Sequence, residues 1–290
     1  MDYLNYKNKV CVITGASSGV GRALADMLVA EGAEVWAIDF RDVPGVSKFI
    51  RANLAQKKEI DRAINQLPAK IDKFFSNAAT PGIFYGNDRF TTAEAFAVNY
   101  GASRYLIEAI VPRMPAGSCI SMTSSCVAVN WRERTKLYEE LYSKYPEYEE
   151  CKEWAMKYIG TMGEPGILFP EQYVYGVSKE AITYYAERTC FDLLKRGIRL
   201  NVLSPGAIDT AMTPDFGIIS RHFGETDFSN SKAAVNPIIG RASTAREQAL
   251  CLLFLNSDMS VALSGCDLAS DYGFNNAVFF NRCTPDGELI

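Results

Sequence analysis

The chain has 290 residues, 48% hydrophobic and 22% charged, proportions of an ordinary folded domain that exclude a disordered chain, a collagen and a coiled coil. Its 30 basic and 34 acidic residues leave a net charge of −4, so no global basic field attracts nucleic acid. A single histidine, His222, excludes a His-rich metal site. Eight scattered cysteines without a C-x-x-C pair give no zinc spacing and suit buried thiols in a reducing cytosol.

Met1 to Lys9 is polar and has no apolar signal-peptide core. No apolar run approaches the roughly 18 residues of a membrane span. A cytoplasmic protein without a membrane partner is therefore expected.

Short apolar runs alternate with helical periodicity along the chain. Val10–Ile13 reads as a strand, Val20–Glu31 as a helix stopped by Gly32, and Glu34–Ile38 as a second strand ending at Asp39. Phe49–Leu54 fits a short third strand, Gln56–Leu67 a helix ending before Pro68, and Ile71–Phe75 a fourth strand. Thr91–Val111 has the spacing of a long helix, Cys119–Thr123 of a fifth strand, Val174–Lys195 of another long helix and Ile198–Leu203 of a sixth strand. Ala245–Leu255 is helical, and Val261–Leu268 closes the series as a last strand. Regular alternation predicts an α/β domain: a doubly wound, mainly parallel sheet with helices on both faces. One domain is expected to span residues 1–290.

Residues 130–172 break the rhythm. Tyr138, Leu141, Tyr142 and Tyr145, then Tyr148, Cys151, Trp154, Ala155, Tyr158 and Ile159, have helical spacing on either side of Pro146. This predicts two amphipathic helices inserted into the domain, either as a packing element or as a wall over substrate. Residues 210–239 form a second candidate lid, with Phe216, Ile218, Ile219 and Phe223 as pocket candidates and His222 as a surface or substrate-edge residue.

Thr14-Gly15-Ala16-Ser17-Ser18-Gly19-Val20-Gly21 joins the first strand to the first helix. Glycines there let backbone amides approach a pyrophosphate, and the helix N-terminus adds partial positive charge. A plain strand-to-helix turn has the same composition, but an acid also ends the second strand. Asp39 suits ribose hydroxyls and repels a 2′-phosphate, which favours NAD over NADP, although Arg41 stands nearby.

The T-G-x-x-x-G-x-G spacing resembles the short-chain dehydrogenase/reductase family, a Rossmann-type fold. That family also carries Y-x-x-x-K, which occurs here at Tyr3/Lys7, Tyr148/Lys152 and Tyr175/Lys179. Only Tyr175-Gly176-Val177-Ser178-Lys179 opens a long apolar helix after a strand ending in Thr123-Ser124-Ser125, ahead of Ser204-Pro205-Gly206. Residues four apart share a helix face, so Lys179 can lower the phenol pKa of Tyr175 and fit it for proton transfer.

By resemblance, Asn99, Ser124, Tyr175 and Lys179 are the catalytic set, with Ser125 replacing Ser124 if the strand slips by one. The cofactor contacts implied are Gly15, Ser17, Ser18, Gly19, Val20, Gly21, Asp39, Phe40, Asn53, Leu54, Asn77, Ala78, Tyr175, Lys179, Pro205, Gly206, Ile208 and Thr210. Ala79 and Asp271-Tyr272-Gly273 depart from the family's N-A-G and D-G-G turns.

Ile38-Asp39-Phe40-Arg41-Asp42, Val98-Asn99-Tyr100-Gly101-Ala102 and the long insertion most resemble the NAD-dependent 3α-hydroxysteroid dehydrogenase/carbonyl reductases. That likeness implies hydride transfer between NAD(H) and a secondary alcohol or ketone of a hydroxysteroid or bile acid, without a metal. The alternatives are a general carbonyl reductase or polyol dehydrogenase and, behind these, a non-catalytic dinucleotide-binding regulator. The family also implies a homo-oligomer built partly on the helix carrying Tyr175, an interface the insertion can block.

Overall fold

The strands are apolar on both sides, and a strand like that must lie between two helical layers. In the computed structural model, which describes residues 3–82, 90–159, 174–210, 235–284 and 288–290, they do. β1 (Val10–Thr14), β2 (Glu34–Asp39), β3 (Lys48–Arg51), β4 (Lys73–Ser76), β5 (Cys119–Thr123), β6 (Arg199–Pro205) and β9 (Asp267–Ser270) form one parallel sheet in the order β3-β2-β1-β4-β5-β6-β9. The order reverses between β1 and β4, so a crevice opens there at the carboxyl ends of the strands.

Alternation along each strand divides the core. Cys11, Ile13 and Phe75 pack with α1 (Gly19–Ala30) and α8 (Ala245–Asn256) on one face. Val12, Phe74, Ile120 and Met122 pack on the other with α2 (Lys57–Gln66) and α7 (Val174–Leu194). The long helix predicted over Thr91–Val111 is broken in character: α3 (Thr92–Phe96) passes through a π-turn (Ala97–Gly101) into α4 (Ala102–Ile110). A Thr91/Glu94 capping box starts it.

The insertion contains the two expected helices, α5 (Thr135–Lys144) and α6 (Tyr148–Tyr158), parted at Pro146. They belong to the main core. Trp154 is fully buried against Phe96, with ring centroids 5.1 Å apart. The Tyr138 hydroxyl donates to Glu180 of α7 at 2.5 Å, and Arg134 pairs with the same carboxylate. The Tyr148 hydroxyl donates to the Leu54 carbonyl at 2.6 Å. Residues 160–172 of this region lie outside the described residues, as do 211–234 of the second candidate lid with Phe216, Ile218, Ile219, His222 and Phe223.

The last strand differs from the expected Val261–Leu268. The apolar run misleads because Gly265 takes a positive φ of +76° and ends a turn in which Val261 is exposed. Pairing with β6 begins only at Asp267. A short parallel pair, β7 (Ile208–Asp209) with β8 (Ser243–Thr244), and a C-terminal helix α9 (Phe274–Phe279) have no apolar pattern to announce them.

Candidate active site

β1 leads directly into the glycine loop. Gly15 has φ +73°, and a Cβ there would stand 2.6 Å from the Ala78 Cα; one on Gly21 would stand 2.0 Å from the Gly15 carbonyl oxygen. The loop therefore closes tightly on the turn after β4. That turn is tied by the Thr14 hydroxyl, which accepts the Asn77 and Ala78 N–H groups, each at 3.1 Å. The Asn77 amide donates to the Thr14 and Gly15 carbonyls at 3.4 and 3.3 Å.

Ser18 caps α1 without a side-chain hydrogen bond, and the first turn has no acidic residue. Its N–H groups and the dipole are thus suited to an anion. Asp39 ends β2, buried, accepting from Ser17 N–H at 2.9 Å and Arg41 N–H at 3.0 Å. A carboxylate has about four lone-pair sites, so capacity is left for hydroxyl donors. Phe40 is exposed beneath the Arg41 guanidinium, 4.9 Å from the ring centroid. Asn53 spends its carbonyl on Ala55 N–H at 2.9 Å, next to buried Leu54. At the far side, Pro205 ends β6, Gly206 N–H donates to Ser270 at 3.2 Å, and Ile208 lies on β7. Thr210 follows within van der Waals reach of a Cβ built on Gly19. These residues fit a dinucleotide: an anion-binding helix start, an acid for ribose hydroxyls, and loops without side-chain bulk between them.

Tyr175 and Lys179 lie one turn apart at the start of α7, with the Lys179 ammonium 5.3 Å from the Tyr175 ring centroid. Lys179 is buried and donates to the Thr123 carbonyl at 2.8 Å. Desolvation pushes its pKa down to about 7. Burial pushes the Tyr175 phenol up, while a hydrogen bond with the Ser125 side chain opposes the rise. Burial thus disfavours each charge alone, and a phenolate–ammonium pair relieves both.

Asn99 sits in the π-turn, a feature common at functional sites. Its side chain accepts from Thr80 N–H at 2.8 Å and donates to the Thr80 carbonyl and the Ser178 hydroxyl, both at 2.9 Å. It braces α7 one residue before Lys179.

The two serines part company. The ladder of β5 with β6 continues one residue further, with Ser124 N–H donating to Leu203 at 2.7 Å. Alternation then sends Ser124 to the face of Ile120 and Met122. Its hydroxyl donates to the Lys179 carbonyl at 2.8 Å and accepts from Thr183 at 2.9 Å, buried beneath α7. Ser124 therefore does not present its hydroxyl beside Tyr175, and Ser125 does. Both faces of β5 are buried, so parity in the sequence does not by itself tell Ser124 from Ser125. The parts played by Thr14, Ser178 and Thr183 were not anticipated, since a hydroxyl that serves the backbone carries no motif of its own.

Known proteins resemble this chain over most of its length. A family model described as short chain dehydrogenase matches residues 9–138, and one described as Enoyl-(Acyl carrier protein) reductase matches 159–275. Coniferyl-alcohol dehydrogenase of Pseudomonas sp. (strain HR199 / DSM 7063) is 29% identical over 270 residues, covering 92% of this chain and 96% of the relative. The 3-alpha-hydroxysteroid dehydrogenase/carbonyl reductase of Comamonas testosteroni is 26% identical over 272 residues, with the same coverage of 92% and 96%. In fold, the chain is similar to the 3-alpha-hydroxysteroid dehydrogenase from Pseudomonas sp. B-0831 complexed with NADH: TM-score 0.70, 24% identity, covering 90% and 94% of the two chains. It also resembles a short chain dehydrogenase from Burkholderia cenocepacia J2315 in complex with NADP: TM-score 0.66, 21% identity, 94% and 100%.

Proposed function

The chain belongs to the short-chain dehydrogenase/reductase family and is an oxidoreductase acting on alcohols, and from that premise we propose that it moves a hydride between NAD(H) and a secondary alcohol or ketone of a hydroxysteroid or bile acid. The observation that carries the reading is the meeting of Ser125, Tyr175 and Lys179 at the carboxyl end of β5, where the Thr123 hydroxyl donates to Asn77 and the Asn77 amide in turn to the glycine loop. The bound nicotinamide supplies the hydride acceptor or donor. Ser125 holds the substrate oxygen. Tyr175 takes the alcohol proton in oxidation and returns it in reduction, and the Lys179 ammonium stabilises the phenolate that results. Asn99 keeps Ser178, and through it the turn carrying both residues, in place; the family resemblance adds a water relay to Lys179.

NAD is favoured over NADP by Asp39 at the end of β2 and by the absence of a basic residue among Ala16, Ser17 and Ser18. An apolar substrate is favoured by the exposed side chains of Val127 and Val129, just beyond Ser125. Likeness to a coniferyl-alcohol dehydrogenase supports a second reading, an aromatic alcohol. Eight free thiols suit a reducing cytoplasm, and no described helix is long and apolar enough to cross a membrane. A homo-oligomer, if formed, must avoid the outer face of α7 where α5 packs.

NADH formation measured over a panel of steroids, bile acids, aromatic alcohols and polyols tests the substrate. Turnover of the polyols alone sinks both substrate readings. Tyr175→Phe is expected to abolish turnover while NADH still binds; substantial residual activity removes Tyr175 from the acid/base role.

A further inference from the structure

The peptide that carries Ser125 is held from a distant part of the chain. On its upstream side the β5–β6 ladder ends at Ser124. Downstream, Ala128 N–H closes on the Ser125 carbonyl at 3.0 Å and Val127 N–H approaches the Ser125 hydroxyl at 3.4 Å, which makes a single short turn. A turn of that size has few bonds of its own to fix its orientation. A third bond comes from the C-terminal segment: the Asn275 side-chain amide donates to the Cys126 carbonyl at 2.9 Å, across 149 positions of sequence.

Asn275 is itself fixed. β9 ends at Ser270, and buried Asp271 accepts the Gly273 N–H on one carboxylate oxygen at 2.8 Å and the Asn275 N–H on the other at 2.9 Å. Gly273 takes the positive φ that turns the chain into α9, and Phe274 is buried beneath it. Tyr272, which stands where the family has a glycine, also takes a positive φ of +54°, so two successive left-handed residues precede α9. A rigid path therefore runs from the sheet edge through Asp271 and Asn275 to the peptide next to Ser125.

We propose that Asn275 is a positioning residue for the reaction: its amide clamps the Cys126 carbonyl and so aims the Ser125 hydroxyl at the substrate oxygen. This rests on reading Ser125 as the group that holds that oxygen. Substrate oxygen, hydroxyl and phenol must meet within a few tenths of an ångström, and a misplacement of about 1 Å can cost about 100-fold in rate.

The test compares wild type with Asn275→Ala and with Asn275→Asp, which keeps the shape and loses the donor. Both variants are expected to lower kcat about 10- to 100-fold, with NADH affinity and Tm near wild type. Combined with Ser125→Ala, either is expected to add nothing to the loss from Ser125→Ala alone, because both act on one contact. Amide exchange over residues 119–131, read by mass spectrometry without substrate, is expected to quicken in Asn275→Ala. Independent, multiplying losses, or a parallel fall in Tm and NADH affinity, would mean a purely structural bond and overturn the proposal. Unchanged exchange overturns it as well. Failure of the wild type to oxidise any alcohol is a failure of the functional reading, and the exchange measurement still decides the clamp.

Discussion

Two adjacent hydroxyls at the end of β5 have opposite surroundings, and substitution should separate them. If Ser125 holds the substrate oxygen as proposed, Ser125→Ala is expected to cost about 100- to 1,000-fold in kcat with little change in stability. Ser124→Ala breaks a buried hydroxyl pair and leaves the Lys179 carbonyl with one fewer donor; it is expected to cost about 1–3 kcal/mol of stability, read by urea unfolding, with a smaller loss of kcat. The reverse pattern would restore Ser124 to the chemical role. Lys179 offers a pH test. Burial holds its pKa at about 7 against 10.5 ordinarily, so between those values the unfolded chain binds more protons and stability rises with pH. The urea midpoint of the cofactor-free protein should climb between about pH 7 and pH 9, and that of Lys179→Met should climb less. Equal slopes would show that burial does not depress the Lys179 pKa.

At the scale of elements, the insertion is a packing layer as far as residue 159, joined to the body through small residues and hydrogen-bonded tyrosines. The tightest approach is at the π-turn, where a Cβ on Gly101 would stand 2.5 Å from the Cys151 Sγ of α6. Gly101→Val should force α6 outward and destabilise by roughly 1–3 kcal/mol, seen as a lower Tm. Because the same π-turn carries Asn99, NADH-dependent turnover should fall with it. A variant as stable and active as wild type would show that α6 does not bear on the site.

For the whole molecule, the cofactor should act as a stabilising ligand, because its contacts come from strand ends that unfolding scatters. At about 100 times its Kd, a ligand bound only to the folded state adds about 2.7 kcal/mol. On the proposed preference for NAD, NADH is expected to raise Tm by several degrees and NADPH to do so only at much higher concentration, since a carboxylate at the end of β2 would repel a 2′-phosphate. Equal shifts with the two dinucleotides would remove NAD preference.

Much of this was legible in the linear order of residues. Strand runs of matching apolarity, the glycine spacing after the first of them, an acid after the second, and a tyrosine–lysine pair one turn apart are local patterns. Backbone sterics and side-chain periodicity translate such patterns directly into elements, a parallel sheet and a crevice at its carboxyl ends. What the tertiary structure alone decided is where local pattern is silent: which of Ser124 and Ser125 meets Tyr175, how the insertion is spent against α3 and α7, and which distant amide reaches the Cys126 carbonyl. Each depends on the register between strands and on contacts across many tens of residues, and no short-range propensity encodes a distance between segments that meet only after folding.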